Sequence, residues 1–383
     1  MKRYCKDVDI YDMDFLRRCA RDCLKKKWKR NDVTRYFSLL TDYTSDHIKD
    51  MILAHQREEL IDTAAHCMQN QLLARKLEFP AIWYKEKIDS SNQKVRLIGI
   101  QNVAQQLFDY VAVYAMHDLM GRIGEYQCAS IPGRGPIYGM LRIKKWLSER
   151  GNKYVAQLDV KKCFPSIPQE RVLAMIDKYV ANADVRWLTN ELLHTFRAGL
   201  SIGSYLSQYL CNLYLSQLYH YIREQLYYTR RGKRINLVNH VLFYMDDLYL
   251  QSHNSKSLHK AVNLAVKYAK DDLGLTIKPD WTVRKIGDGD FVDMMGFRVY
   301  PDHVTIRKRV FLRVRRAYKK PLGRPRPTLR QAQKCASYAG IIKNTSSIKL
   351  AKKYKIYRTI KLSKGVIAHE SKFRCTAAPC QGN

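Results

Sequence analysis

Apolar residues recur along most of this chain at helical spacing. Residues 13–30 predict a basic helix, because Phe15, Leu16, Cys19 and Cys23 share one side while cations crowd its end. A longer helical pattern covers residues 46–77. Further helices are predicted at 102–120, 137–149, 168–180, 205–227, 256–272, 328–343 and 347–357.

Strand-like runs are shorter. Residues 81–84 and 95–100 are mainly β-branched, aromatic or aliphatic and enclose a polar turn at 89–92. Tyr154–Asp159 has the pattern of a buried strand that ends in a carboxylate. Other short strands are predicted at 275–277, 282–286, 291–299 and 304–306. Because helices alternate with short strands, we expect α+β or α/β architecture around a mixed sheet, and we adopt α+β.

The segment Tyr244–Asp247, with the sequence Tyr-Met-Asp-Asp, lies between the apolar runs 241–243 and 248–250. In a continuous strand, neighbouring side chains point to opposite faces, so the two carboxylates could not share a ligand. A tight hairpin turn removes this restriction and presents both at its tip. Adjacent anions repel each other, and a divalent cation is the usual compensation. A solvated acidic turn is the alternative, because Asp is a common turn residue.

The net charge of the chain is extreme. Its 383 residues are 46% hydrophobic, which is enough for a sizeable core, but 68 Lys and Arg face only 35 Asp and Glu, a net of +33. Such an excess favours a polyanionic partner, and nucleic acid is the leading one. Basic residues are dense in the region 307–360, and Phe311, Leu312 and Tyr318 among its charges favour a folded helical module that grips a nucleic-acid backbone. A solvated face or a disordered arm is the alternative for such a charge run.

Membrane and secretory classes are disfavoured. The chain has no long uncharged apolar run, and no apolar stretch follows its basic first residues. Its ten cysteines are scattered without a Cys-x-x-Cys pair, which indicates reduced thiols. We therefore expect a cytoplasmic protein with no membrane partner.

A third carboxylate is needed if the hairpin binds metal for phosphoryl transfer, because two divalent ions stabilise the attacking and the leaving oxygen. Asp159, at the end of a predicted strand, is the candidate. A lone Asp at such a place usually caps a helix or forms a turn. Its combination with Tyr244–Asp247 is far more specific.

The ordered motifs of this chain resemble those of reverse transcriptases over roughly residues 80–300. Leu158–Phe164 is similar to the first palm motif of that family, and Tyr244–Asp247 to its catalytic hairpin. Lys94–Ile98 resembles a fingers motif, Leu275–Lys278 the next palm motif and Met294–Phe297 the primer grip. The resemblance implies a right-hand polymerase with fingers, a palm and a helical thumb, and RNA-directed DNA polymerase (nucleotidyltransferase) activity.

The same resemblance implies a role for particular residues. Asp159, Asp246 and Asp247 would be the catalytic residues and would hold two Mg²⁺ ions. Phe164 would reject the ribose 2′-OH, although a core aromatic is the alternative for this residue. The implied nucleotide-binding residues are Lys94, Arg96, Phe164, Ile202, Gly203, Gln208, Tyr244 and Lys278, and the implied primer grip is Met295 and Gly296.

One departure from the family pattern is informative. Most reverse transcriptases carry Gln-Gly and then Ser-Pro near the incoming nucleotide, where this chain has Ile202-Gly203 and then Ser207-Gln208. That variant is similar to the reverse transcriptases of diversity-generating retroelements, which copy a template-repeat RNA with errors at adenines. Ile offers no hydrogen bond where Gln offers donors and an acceptor, so selectivity for the correct base pair would fall. Neutral drift in an ordinary retroelement enzyme is the alternative.

The resemblance implies five regions: a basic helical extension (1–78), fingers (79–153), palm with a fingers insertion (154–305), basic thumb (306–365) and a tail (366–383). It also implies template RNA, cDNA, RNA–DNA hybrid and dNTPs as partners, with a basic accessory variability protein. Three other functions stay open: a generic group-II-like reverse transcriptase, an antiphage-defence enzyme of the same fold, and a non-catalytic RNA-binding protein.

Overall fold

A computed structural model describes residues 2–88, 95–151, 153–321 and 325–376, with side chains as far as residue 370. The chain forms two compact units, each assembled from separate segments. The first unit holds the described residues up to Gln127, together with Leu158–Leu226 and Ala261–Trp281. The second holds Cys128–Gln157, Tyr227–Lys260 and the described residues from Thr282 onward.

The first unit is mainly helical. Its helices are α1 (Met13–Leu24), α2 (Asn31–Thr41), α3 (Ser45–Leu53), α4 (Arg57–Leu73), α5 (Val103–Ala115), α7 (Cys163–Ser166), α8 (Gln169–Tyr179), α9 (Ala183–His194) and α10 (Tyr205–His220). A 3₁₀ turn follows α5 (His117–Arg122), and a π turn follows α10 (Tyr221–Gln225). Strands β1 (Trp83–Ile88) and β2 (Val95–Ile100) form a separate antiparallel hairpin.

Helices α5 and α10 form the centre of this unit. They are apolar on nearly all sides, and most of their residues are buried. A helix that is hydrophobic all round must be covered on every side, unlike an amphipathic surface helix. Helix α1 shows the surface pattern, since Leu16, Cys19 and Cys23 are buried and Asp12 caps its first turn through the amide of Phe15.

The main sheet belongs to the second unit except for Gln127, Leu158 and Asp159, which are counted with the first. Its five strands lie in the order β3 (Gln127–Cys128), β7 (His240–Tyr244), β8 (Asp247–Ser252), β4 (Tyr154–Asp159) and β9 (Val283–Lys285). Helix α6 (Pro136–Leu147) belongs to this unit, and helix α11 (Ser255–Asp271) begins in it and is counted with the first unit from Ala261 onward. Two further antiparallel sheets are β5 (Tyr227–Arg230) with β6 (Lys233–Asn236), and β10 (Val292–Met294) with β11 (Phe297–Val299) and β12 (Val304–Ile306).

The C-terminal part of the second unit is helical, as the sequence predicts. It consists of α12 (Lys308–Lys319), α13 (Leu329–Lys343), α14 (Ile348–Lys353) and α15 (Ile356–Thr376). Val314, Tyr318, Cys335 and Ile356 belong to its buried core, and the Tyr318 hydroxyl donates to the carbonyl of Cys335. The basic segment is therefore a folded module, and the α+β expectation is confirmed.

The predicted single helix at 46–77 is wrong, because α3 ends at Leu53 and α4 begins at Arg57. His55 has a φ of +63°, in the left-handed region that His enters more readily than most residues. The amide of Gln56 donates to the carbonyl of Met51, a bond that closes the end of a helix. Local capping therefore overrides a continuous apolar pattern.

Other differences have similar local causes. The predicted strand 291–299 is two strands, because Met295 and Gly296 both have positive φ and reverse the chain. Helix α9 was not predicted, although the Asn182 side chain caps it through two backbone amides. The β5–β6 hairpin was not predicted either, since it has little apolar alternation.

No helix among the described residues is both long enough and apolar enough to cross a bilayer. The eight cysteines within the described side chains are free thiols, and seven of them are buried.

Candidate active site

The predicted hairpin at Tyr244–Asp247 is confirmed. Tyr244 pairs with Asp247, so the turn consists of Met245 and Asp246 alone. Met245 has a φ of +53°, which for a residue with a Cβ costs about 1–2 kcal/mol. The flanking runs 241–243 and 248–250 are buried, whereas Asp246 is half-buried and Asp247 is exposed. The apolar flanks therefore hold a strained turn that presents carboxylates at its tip.

The base of this hairpin is fixed by polar contacts with α6 and the residues after it. The Tyr249 hydroxyl donates to Oε1 of Gln251, whose Nε2 donates to the carbonyl of Trp146. The Trp146 ring stacks on the His240 ring, and Nε2 of His240 lies 2.6 Å from a carboxylate oxygen of Glu149. These contacts pair buried polar atoms at the base and join β7 and β8 to α6 and the residues after it.

Tyr244 carries a neutral hydroxyl beside the carboxylates. Its pKa is raised, chiefly by burial and also by its nearness to Cys128 and to the negative charge of Asp247. The phenol therefore stays protonated at neutral pH and keeps its hydrogen-bond donor.

Asp159 is the last residue of β4, the strand next to β8 in the sheet. Lys278 forms an ion pair with its carboxylate, and the Lys278 amide donates to the Asp159 carbonyl at 2.9 Å. Val160 and Ile277 form an antiparallel bridge, so the predicted strand 275–277 is present as a single bridge. The sequence placed Lys278 among nucleotide-binding residues, and the structure places its ammonium group on Asp159.

The donor chemistry of these residues suits magnesium, which takes carboxylate oxygens. Within the described residues, no group of three or more His, Cys, Asp or Glu side chains is already arranged around one point as a metal centre. At Asp159 the positive charge comes from Lys278. A metal ion at Asp159 would therefore compete with this ammonium group.

Phe164 lies in the short helix α7 and is half-buried. The Phe164 carbonyl accepts a 2.8 Å hydrogen bond from the Leu200 amide. Gly199 has a φ of +54°, and a Cβ there would approach this carbonyl to 2.6 Å. The loop before Ile202 thus fixes the backbone that carries Phe164.

The turn at Ile202–Gly203 is bonded to the β1–β2 hairpin. The Ile202 carbonyl accepts from the Gly99 amide at 2.9 Å. Gly203 has a φ of +118°, and a Cβ there would lie 2.5 Å from the Gly99 carbonyl oxygen. Both glycines line a groove of about 620 Å³, together with Arg30 and Trp83. Only residues without a side chain permit this close backbone approach.

Asp109 is a site residue that the sequence analysis missed. It is fully buried, and its Oδ2 accepts from the Ser204 hydroxyl at 2.8 Å and from the amides of Tyr205 and Leu206. Burial raises its pKa to about 6, against the lowering effect of these hydrogen bonds. The carboxylate holds the start of α10, directly after Ile202–Gly203. A single acid within the apolar pattern of α5 was the signal that could have revealed it.

Gln208 and Arg96, also predicted to bind nucleotide, lie on different elements. Gln208 is half-buried in the second turn of α10. Arg96 is exposed on β2, opposite Lys87. Lys94 lies outside the described residues.

The predicted primer grip is the turn between β10 and β11. Met295 and Gly296 both have positive φ, and the Gly296 carbonyl accepts from the Arg307 amide. A Cβ on Gly139 of α6 would lie 2.6 Å from Sδ of Met295 and 3.6 Å from a methyl of Leu242. The turn and β7 therefore meet over Gly139, which leaves room for both side chains.

Helix α12 presents the strongest basic surface of the C-terminal module. Val314, Ala317 and Tyr318 are buried on one side. Its exposed cations are Lys308, Arg309, Arg313, Arg315, Arg316 and Lys319, and the helix has no acidic residue.

Comparison with known proteins identifies the family to which this chain belongs. The family described as "Reverse transcriptase (RNA-dependent DNA polymerase)" matches residues 85–298, more than half of the chain. The chain therefore belongs to the reverse transcriptase family, whose activity is RNA-directed DNA polymerisation. No curated protein matches the chain.

Several solved telomerase structures are similar to the chain. Apo telomerase from Candida tropicalis, truncated from its C-terminal domain, matches 60% of this chain and 55% of its own with 14% identity and a TM-score of 0.41. The match to apo telomerase from the same organism covers 77% of this chain and 58% of the telomerase chain, with 12% identity and a TM-score of 0.46. The match to telomerase from Candida albicans, in complex with a fragment of telomeric RNA, covers 76% of this chain and 61% of the telomerase chain, with 10% identity and a TM-score of 0.41. The chain thus spans less than two thirds of each of these proteins.

Proposed function

We propose that this chain is the reverse transcriptase of a diversity-generating retroelement, which makes adenine-mutagenic cDNA from a template-repeat RNA for mutagenic retrohoming. The observation that carries this proposal is the turn at Ile202–Gly203. Ile202 brings only apolar atoms to a turn bonded to β2, so base-pair recognition there would rest on shape and packing. Lower selectivity is the expected result.

In this proposal Asp159, Asp246 and Asp247 hold two Mg²⁺ ions. Bound metal would supply positive charge for the attacking and the leaving oxygens of nucleotidyl transfer. The sheet order supports the assignment, because β4, which carries Asp159, is the neighbour of β8, which carries Asp247. Lys278 forms an ion pair with Asp159 in this structure. When the metal ions and the incoming nucleotide bind, Lys278 would leave Asp159 and pair with the negative charge of the nucleotide.

The remaining residues would bind and orient the substrates. Lys94 and Arg96 would hold the triphosphate, and Phe164 would exclude the ribose 2′-OH by contact with the sugar. Tyr244 and Gln208 would border the nascent base pair. The turn at Met295–Gly296 would hold the primer end.

The region assignments extend this proposal. Residues 79–153 would be the fingers, 154–305 the palm with a fingers insertion and 306–365 the thumb, between the extension 1–78 and the tail 366–383. The exposed cations of α12 support a thumb that holds the RNA–DNA hybrid, since phosphate neutralisation releases counterions. A basic accessory variability protein would assist cDNA synthesis. The reaction would take place in the cytoplasm of a bacterium, and the gene would be bacterial or phage-encoded.

Sequencing of cDNA tests the mutagenic part. A template with all four bases should give substitutions concentrated opposite adenine, and Ile202→Gln should reduce them. Ile88→Gln, at an exposed position of β1, is the matched control. An even error spectrum would assign the chain to a generic group-II-like or antiphage enzyme. A neighbouring pair of variable and template repeats in the genome would support the retroelement assignment independently.

The non-catalytic alternative is tested separately. A folded chain that binds RNA but incorporates no dNTP with Mg²⁺, template RNA and accessory protein present would be an RNA-binding protein. Incorporation that depends on Mg²⁺ excludes this alternative.

A further inference from the structure

The β5–β6 hairpin is a basic surface that the polymerase assignment leaves unexplained. It forms a sheet of its own, and its turn consists of Arg231 and Gly232, with φ of +50° and +73°. Positive φ at both central residues is the geometry that matches the twist of a tight hairpin. The ribbon is therefore well defined by its turn.

Burial does not explain this hairpin. All residues from Tyr227 to Arg234 are exposed, including two tyrosines that are 47% and 37% exposed. A two-stranded hairpin with little buried apolar surface is marginally stable. Exposed aromatic rings on such a ribbon indicate a surface for binding rather than for packing.

The charges of the hairpin oppose its own folding. Arg230, Arg231, Lys233 and Arg234 carry four positive charges, and residues 227–236 include no acid. The register places Arg230 directly opposite Lys233. Like charges at facing positions destabilise a strand pair. Neutralisation by a polyanion would relieve this repulsion, and phosphate is the anion that reverse transcription brings to the protein.

The aromatic side chains indicate which nucleic acid fits. Tyr227 and Tyr228 are consecutive in a strand, so their rings lie on opposite faces of the ribbon. The guanidinium group of Arg234 lies 4.0 Å from the centre of the Tyr227 ring. Unpaired bases stack on aromatic rings and on guanidinium planes, whereas the major groove of an RNA duplex is too narrow for side chains to read.

We propose that the β5–β6 hairpin is a binding surface for single-stranded template RNA. Its arginines and lysine neutralise phosphates, and its tyrosines stack on unpaired bases. The proposal rests only on the RNA-templated activity of the family. It is independent of the adenine-mutagenic assignment.

Binding of a fluorescein-labelled single-stranded RNA of about 20 nucleotides to the full chain, followed by anisotropy over a range of salt concentrations, tests this surface. The double variant Arg230→Gln/Lys233→Gln should bind about tenfold more weakly, with a log–log salt slope lower by about 1–1.5. Lys256→Gln/Lys260→Gln removes the same charge from exposed positions of α11 and should change neither quantity comparably. Equal losses in the two double variants would overturn the proposal.

Two further variants separate binding from folding. Arg230→Glu places a carboxylate opposite Lys233, so the melting temperature should stay constant or rise while RNA affinity falls. Tyr228→Ala should weaken RNA binding severalfold without changing the salt slope, because stacking releases no counterions. Unchanged RNA affinity in Arg230→Glu would contradict the proposal. A larger loss for single-stranded DNA than for RNA would identify cDNA, not template RNA, as the occupant.

Discussion

Two hairpins follow one another in the second unit and have the same plan, yet their charges are opposite. The β5–β6 and β7–β8 hairpins each have a two-residue turn, and their strands are separated by residues 237–239. The first is cationic, and its residues from Tyr227 to Arg234 are exposed. The second has buried strands and carries two carboxylates at its tip.

The difference shows how burial decides what a hairpin can hold. The buried strands of β7–β8 contribute apolar surface that offsets both the left-handed Met245 and the repulsion between two acids. The β5–β6 hairpin has little buried apolar surface to offset its like charges, and these charges remain in water. Buried strands thus suit positioned carboxylates, while an exposed ribbon suits a flexible polyanion.

The largest expected effect is on catalysis by the acidic hairpin. Asp246→Asn keeps the size of the side chain and removes its charge, so primer extension on an RNA template should fall by about a thousandfold or more, equivalent to at least about 4 kcal/mol in the barrier. Asp302→Asn, at a side chain that is 80% exposed, is the control and should stay active. Undiminished synthesis by Asp246→Asn would contradict the catalytic assignment.

The buried strands should be much more sensitive to truncation than the exposed ones. Leu242→Ala removes a fully buried side chain of β7 and should lower the free energy of unfolding by about 2–5 kcal/mol. Tyr228→Ala on β5 should lower it by less than about 1 kcal/mol. Denaturant unfolding measures both free energies. Similar losses would show that the two hairpins do not differ in how much their side chains contribute to stability.

Asp109 is the opposite case, a carboxylate held in the core rather than at a tip. Its pKa of about 6 exceeds the ordinary value of 3.8, so its protonated form stabilises the fold at low pH, and that contribution is lost as pH rises through 6. Asn does not titrate. The stability of Asp109→Asn relative to the natural chain should therefore rise by on the order of 1 kcal/mol between pH 5 and pH 7.5. A difference independent of pH would show that Asp109 does not titrate in this range.

The smallest effect concerns the like charges of β5–β6. Arg230→Thr removes the repulsion with Lys233 and adds a β-branched residue, so it should raise the free energy of unfolding by about 0.2–1 kcal/mol. Thermal unfolding at low and high salt measures it, and the gain should shrink in high salt. A loss of stability would mean that Arg230 makes a stabilising contact.

Much of the fold could be predicted because its patterns are local. The β7–β8 hairpin follows from two apolar runs around a short turn, and β4 was predicted with its observed bounds. Helix ends were harder, since the break at His55 depends on one backbone angle. The β5–β6 hairpin was missed because alternation is the signal for a half-buried strand, and this ribbon buries neither face.

The sequence by itself determined the family and the acidic hairpin, and it predicted Asp159 as the third carboxylate and Ile202–Gly203 as a departure from the family pattern, because each belongs to a short local motif. Only the tertiary structure placed Lys278 on Asp159, Met295 beside Gly139, and Asp109 on the start of α10, 95 residues further along the chain. Such contacts join segments that are distant in sequence. They depend on how whole elements pack, which no local pattern records.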